Sequence, residues 1–342
     1  MLNTKSILHL PALLGGLTLL SACSSSTPEA SIDQLVNDMS QRIEVITKAE
    51  QVNNFIPRFN QPKTVGCLNA TFKVHDQLPQ KLAKGLFAKP ASYPAMLRFA
   101  NATKTDDSEK DIRGLSIKVN DVEGPVLWGK PGTQDFLLNS YPALFVSTPE
   151  EFLTFIRARQ EDKKIRFFLN PFDSHLKSLW IVYQAQQKLN SPLDIRYWST
   201  VPFQLGDSEQ TAVKYSVTPC SSYHTEQPVN PGSNQLRSAI GAHLKQQNAC
   251  FTFAVQTQSD PASMPIEDAS VIWDEAQSPF QPVATITIQQ QSFDQPAALA
   301  ECERTSFNPW QSLPQHKPLG RMNEVRRAVY ARADKFRNRE AP

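Results

Sequence analysis

Arg326 and Tyr330 stand four residues apart in the stretch Met322-Asn323-Glu324-Val325-Arg326-Arg327-Ala328-Val329-Tyr330. On a helix this spacing puts guanidinium and phenol on one face, one turn apart. A phenol beside a fixed positive charge ionises more readily, and a phenolate is a hard oxygen ligand for ferric iron. Tyrosine is one of the axial ligands that proteins offer to haem iron. The competing reading is a core tyrosine with an arginine paired to a surface acid. No Ser-His-Asp set, zinc-type spacing or glycine-rich phosphate loop assembles elsewhere from local spacing. Asp106, Asp107, Glu109 and Asp111 read as a solvated acidic loop, and His75 as a strand-end histidine.

The elements that must position such a pair follow from periodicity. Ile32, Leu35, Val36, Met39, Ile43 and Ile46 recur at helical spacing. Strands are expected over 71–74, 95–100, 114–119, 135–138, 196–203, 212–217, 251–256 and 282–289, separated by turn residues. Helices are expected from Pro149 to about Arg159, over 177–189, and over 323–337, with Asn323 as a cap. The class is α+β, with a β-barrel or strongly curved sheet at its centre. The 26 prolines against 12 glycines favour long extended excursions over tight parallel α/β packing. A net charge of +2 over 342 residues argues against nucleic acid as the main partner.

Residues 1–22 read as a targeting segment: Lys5 supplies a charge, and an apolar run from Ile7 to Leu20 follows. Leu20-Ser21-Ala22-Cys23 resembles the lipobox of bacterial lipoproteins, with Cys23 as the lipidated residue, and Ser24 resembles the pattern that sorts such proteins to the outer membrane. Residues 23–31 then form a polar tether and 32–342 the folded domain. The expected location is the cell envelope, anchored by lipid to the outer membrane and facing the periplasm. Cys67, Cys220, Cys250 and Cys302 would there form two disulfides in one of three pairings; the alternative is four buried free thiols.

Several stretches, taken in order, resemble the catalase superfamily, in particular its small catalase-related branch. They are Arg58-Phe59-Asn60-Gln61-Pro62-Lys63-Thr64-Val65-Gly66-Cys67, Leu97 to Asn101, Asp111 to Lys118 and Gln134 to Pro142, followed by Phe145. Met264 to Asp268, Phe307-Asn308-Pro309-Trp310 and finally Arg326 to Tyr330 complete the series. The resemblance spans about Gln51 to Arg337. It implies an antiparallel barrel with surrounding helices and a C-terminal proximal helix. It also implies haem b bound through Tyr330, with Arg326 donating to the phenolate and with Arg58, Arg98 and Phe145 at the cofactor. One or two of the basic residues of the tail (Arg321, Arg327, Arg332, Lys335, Arg337, Arg339) would meet a haem propionate. His316 resembles a structural histidine of the small branch.

The resemblance breaks at the distal face. Gln61 stands where the family has the histidine that shuttles the peroxide proton, and an amide has no basic nitrogen near neutral pH. Counting back from Pro142 puts the family's asparagine at Ser140, with Asn139 one residue early and, by strand alternation, on the other face unless a bulge intervenes. Ala100 replaces a serine that large catalases bond to the histidine. The expected function is a haem protein acting weakly or in altered fashion on hydrogen peroxide or organic and lipid hydroperoxides. A haem carrier or ligand sensor and a haem-free scaffold are the alternatives.

Overall fold

Alternation with a period of two on the strands, and of 3.6 on the helices, decides what this chain buries. The computed structural model describes residues 30–53, 55–207 and 211–339, so the targeting segment and Cys23 lie outside the described residues. Helix α1 (Ile32–Ala49) buries Leu35, Met39, Ile43 and Ile46, and a capping box between Ser31 and Gln34 starts it. Strand β1 (Lys63–Val74) is longer than its alternating part. It pairs with β2 (Ser92–Asn101) from Lys63↔Asn101 to Lys73↔Ser92, with a bulge between Thr64 and Gly66. Strands β3 (Arg113–Val122) and β4 (Gly132–Asn139) extend the antiparallel meander.

Three helices follow: α2 (Pro149–Gln160), α3 (Lys164–Leu169) and α4 (Leu176–Ala185). Thr148 caps α2, its hydroxyl accepting from Glu151 N. Helix α4 stops before the expected Leu189 because the backbone of Gln187 pairs in both directions with that of Asp111. The expected strand 196–203 is two short ones, β5 (Tyr197–Trp198) and β6 (Phe203–Gln204), on either side of a break at Pro202, which has no N–H to pair. Then come β7 (Ala212–Pro219), α5 (Gln235–Gln246), β8 (Ala249–Thr257), β9 (Gln281–Ile288), α6 (Pro296–Arg304) and α7 (Arg321–Arg339). Helix α7 begins two residues before the expected cap. Gly320, at φ +83°, makes the turn, and Asn323 sits inside, donating to the carbonyls of Pro202 and Leu319.

Strands β1 to β5, β7, β8 and β9 close into an eight-stranded antiparallel barrel, because β5 pairs with both β4 and β7. Strand β6 hangs on β7 outside the ring. Side chains fill the interior. Phe136 packs at 4.8 Å from Phe253 and 5.1 Å from Tyr215, and Phe72 at 5.3 Å from Phe253. The cysteines are paired, Cys67 with Cys302 and Cys220 with Cys250, their Cα atoms 6.2 and 5.2 Å apart. The first pair joins β1 to α6 across a sequence separation of 235 residues. In the chain-entropy picture a loop of that size is worth on the order of 5 kcal/mol.

The acidic loop is only in part a solvated one: Glu109 is exposed, whereas two of its acids are not. Asp107 and Asp111 are buried and act as acceptors, Asp107 for Asn101, Leu236 N and Lys63, and Asp111 for Thr103 and Lys104 N. His75 bonds Thr285 on the neighbouring strand, at 2.8 Å.

His316 is fully buried. Its Nε2 accepts from Leu86 N–H at 2.9 Å, and its Nδ1 lies 2.9 Å from the Tyr215 hydroxyl. Burial pushes its pKa down to about 3. Below pH ~6.5 the unfolded chain takes up a proton here that the folded chain refuses, so this group lowers stability as pH falls toward 3. Asp135, pushed up to about 6 by burial, acts in the opposite sense, but it cancels in a comparison of variants. The stability gap between wild type and His316→Gln should therefore shrink by about 1.6 kcal/mol in total between pH 6.5 and 5, the slope approaching that of one full proton only toward the lower value. Urea unfolding at the two pH values reads this out, and a constant gap would contradict it.

Candidate functional site

The outer face of the barrel, not its filled interior, carries the cavity. On β2, β3 and β4, Leu97, Phe99, Leu115, Ile117 and Phe136 point inward. The residues between them, Arg98, Ser116 and Leu137, stand in register across the three strands on the opposite face. They form one wall of a cavity of about 650 Å³, whose other walls come from α1, α2, α3, α4 and α7. This volume lies within the range of small-molecule and cofactor sites.

Gln61 enters this cavity from the loop before β1. It has φ +59°, a left-handed conformation costly for a residue with a side chain. Two hydrogen bonds hold it there: its N–H donates to Ala102 O at 3.1 Å, and its carbonyl accepts from Arg98 at 2.8 Å. Its amide nitrogen donates to Asn139 Oδ1 at 3.0 Å. Gly114 makes the room. It pairs directly with Asn139 and Ala100, and a Cβ there would meet the Gln61 amide at 2.1 Å. Gly114→Ala should cost about 1–3 kcal/mol by overpacking and break the Gln61–Asn139 bond. In the Gln61→Ala background the same change should be nearly neutral, a coupling that thermal denaturation of the double-mutant cycle will show or refute.

Asn139 and Ser140 divide as strand geometry requires, but not as the count from Pro142 has it. Asn139 lines the cavity. Ser140 does not: its N–H and hydroxyl both engage the backbone of Arg113, at 2.8 Å each, where the chain leaves β4. Ser140 is therefore a strand-end fastening, and of the two residues named from the sequence Asn139 is the one that lines the cavity.

The helix-side wall is built by α7. Met322, Val325, Arg326, Val329, Tyr330 and Arg337 recur at helical spacing and face the cavity. Arg326 lies 3.4 Å from the Tyr330 hydroxyl through Nη2, and its Nη1 donates to Asn323 Oδ1 at 2.9 Å, which fixes the guanidinium from behind. Phe145 lines the cavity with Phe152 and Phe155, its ring 4.8 Å from that of Phe155.

At the cavity margin three guanidiniums gather that no local spacing connects. Arg58 donates to the carbonyls of Glu303 (3.1 Å) and Thr305 (2.8 Å), Arg98 to Thr64 Oγ1 (3.0 Å), and Arg337 to Glu303 O (2.8 Å). The Glu303 carboxylate bonds Thr64 and stands 3.9 Å from both Arg58 and Arg337. Burial and the neighbouring guanidiniums hold the Arg58 pKa well below its usual value; burial brings Arg98 to about 10 and lowers Arg337. The Arg58 Nε is buried without a hydrogen-bond partner. Two carboxylates, Glu303 and Asp334, do not neutralise three largely buried cations, so an anionic group entering the cavity would be stabilised here. Of the basic tail, Arg326 and Arg337 line the cavity; Arg332 pairs with Glu44 and Arg321 with Glu150, while Arg327 lies over the Trp310 ring.

No family model matches the sequence, and no curated protein matches it. Among solved structures the chain is similar to a fungal catalase, with a TM-score of 0.65 at 15% identity over 86% of this chain and 61% of that one. The fold is catalase-like. A bacterial catalase gives a TM-score of 0.64 over 96% of this chain and 67% of that one. Catalase A from Saccharomyces cerevisiae gives 0.64 over 98% and 68%, both again at 15% identity. The chain thus spans about three fifths to two thirds of the length of these catalases. At this identity the likeness concerns the fold, so the residues of the cavity have to be judged on their own chemistry.

That chemistry fits a flat dianionic cofactor with a metal at its centre. Tyr330 offers an oxygen donor from the helix side, the Arg58, Arg98 and Arg337 cluster offers charge to carboxylates, and phenylalanines and aliphatic side chains supply apolar walls. Among the described residues no three His, Cys, Asp or Glu side chains stand together as a metal site. The reading of the sequence named both Asn139 and Ser140 beside Gln61 without choosing between them, and it missed Glu303 altogether.

Proposed function

We propose that this protein is a catalase-related haem protein that binds haem b through Tyr330 and acts on hydrogen peroxide or organic hydroperoxides with a modified distal site. The observation that carries the reading is one cavity lined by Tyr330 with its Arg326 partner, by the Gln61–Asn139 amide pair and by an excess of buried guanidinium charge. Bound there, haem would supply a ferric centre able to cleave an O–O bond. Arg326 donates toward the Tyr330 oxygen at 3.4 Å and would orient that ligand. Arg58 and Arg337 would hold the propionates, and Phe145 would pack on the cofactor's apolar body. The Gln61 amide would orient a bound peroxide through hydrogen bonds without taking up its proton.

The tertiary contact between Gln61 and Asn139 favours a second reading, a haem carrier or a sensor of a small ligand, since both side chains are amides and neither is a base. The apolar walls around Phe152, Phe155 and Phe168 favour an organic over an inorganic peroxide. A lipid anchor at Cys23 and a periplasm-facing position on the outer membrane belong to the same proposal; two disulfides support an oxidising compartment. Among the described residues no helix is long and apolar enough to cross a membrane.

Haem titration of the purified protein tests the proposal. A saturable Soret band at one equivalent is expected, and turnover of hydrogen peroxide against an alkyl hydroperoxide then separates enzyme from carrier. No Soret band in any preparation would overturn both haem readings.

A further inference from the structure

Helices α3 and α4 carry an apolar surface that the rest of the fold leaves uncovered. Ile165, Leu169, Phe172, Leu176, Trp180 and Tyr183 are all exposed, Phe172 at 95% and Ile165 at 76%. Contiguous exposed apolar side chains of this kind mark interaction surfaces rather than ordinary surface scatter. The presentation is built. Asn170 accepts from Phe172 N through its side chain (3.2 Å) and from Asp173 N through its carbonyl (3.2 Å), so the Asn-Pro-Phe-Asp turn holds Phe172 outward. His175 stacks on Phe167 at 4.1 Å and bonds its carbonyl at 2.9 Å, which locks α4 onto α3. The Trp180 and Tyr183 rings lie stacked, 5.9 Å apart.

The composition of the face names the occupant. Between residues 161 and 188 five Lys or Arg side chains stand against three acids, Glu161, Asp162 and Asp173. Lys163 is paired to Glu161 at 2.9 Å and Lys177 lies 3.8 Å from Asp268, which leaves a modest cationic excess. Arg166 of α3 and Lys177 of α4, with Lys188 just beyond α4, are exposed on the same segment. Tryptophan and tyrosine with a cationic fringe fit the headgroup level of an anionic bilayer, where the rings enter the interface and the cations meet phosphate. A second protein surface would have to be both apolar and acidic to match. The same two helices form the cavity wall on their inner side, through Lys164 and Phe168 of α3 and Ile181, Val182 and Ala185 of α4.

The geometry points to the α3–α4 face as a docking surface for an anionic phospholipid bilayer, with Phe172, Trp180 and Tyr183 inserted and the flanking lysines and Arg166 on the headgroups. An apolar substrate dissolved in the bilayer would then be one pair of short helices away from the cavity. The inference is independent of the haem reading, and it is a contact distinct from the anchor proposed at Cys23.

The test uses the full chain carrying Cys23→Ser, so that no acyl chain contributes. Co-sedimentation with vesicles of phosphatidylglycerol and phosphatidylcholine should exceed that with phosphatidylcholine alone and weaken at raised salt. Phe172→Ser, Trp180→Ser and Tyr183→Ser combined should lower binding by about tenfold or more, given what burying each large side chain is worth. The N-terminal apolar run is common to both proteins and cancels in the comparison. A second readout is free of that run: an environment-sensitive dye on Phe172→Cys should shift to the blue with anionic vesicles. Equal binding by the triple variant, or an unshifted dye, would overturn the inference. So would a dimer abolished by the triple variant with vesicle binding unchanged, which would assign the face to a second copy.

Discussion

Tyr330→Phe is expected to abolish the ferric haem spectrum of the wild-type protein while leaving the fold intact. The phenol oxygen is the cavity's donor on α7, and phenylalanine retains the ring, with its apolar contacts, and removes that oxygen alone. Removing a group that merely orients a metal ligand typically lowers affinity about 10–100-fold, so removing the ligand itself should exceed that range. Arg326→Leu should fall within it, because Arg326 acts through Tyr330, and Asn323 fixes Arg326 in turn. Haem titration followed at the Soret band, with circular dichroism as the control for folding, orders the two variants. An unchanged spectrum in Tyr330→Phe would remove Tyr330 as the ligand, even if haem still bound the cavity.

Gln61→His should raise peroxide turnover of the haem-loaded protein by ~10²–10⁴-fold, the usual worth of a positioned acid–base group. The site can accept the change. Histidine tolerates the left-handed backbone better than most residues, and Gly114 leaves its Cβ side open beneath the side chain. Asn139 remains within hydrogen-bonding reach of position 61. What the site lacks is a polar group below the ring: Ala100 lies beside Gly114 in the adjacent strand, buried and without a hydrogen-bonding side chain. Ala100→Ser added to Gln61→His should therefore raise turnover further, by holding the imidazole in one orientation. Oxygen release from hydrogen peroxide measures the series. No gain in either variant, with haem bound, would mean that peroxide chemistry is limited by something other than the missing base.

Local periodicity alone determined a good deal of this protein. The apolar spacing of α1 and α2, the alternation of β2, β3, β7 and β8, and the shared helical face of Arg326 and Tyr330 all follow from residues a few positions apart. The position of Gln61, three residues after Arg58 and two before Lys63, was equally a matter of counting along the chain. Helices α3, α5 and α6 went unread, although Leu236, Ala239, Ile240, His243 and Leu244 carry the helical period of α5 plainly. Only the tertiary structure decided the rest. Closure of the barrel depends on the two-residue strand β5 meeting both β4 and β7, a pairing too short to leave a pattern. Whether Asn139 or Ser140 faced the cavity depended on where β4 ends, because a one-residue difference at a strand end reverses the side-chain direction. The pairing of Cys67 with Cys302, and the meeting of Arg58, Arg98 and Arg337 around Glu303, join segments as much as 281 residues apart, as in the contact of Arg337 with Ile56. Such contacts are set by how strands and helices stack once the chain has closed, and residue spacing along the chain carries no record of them.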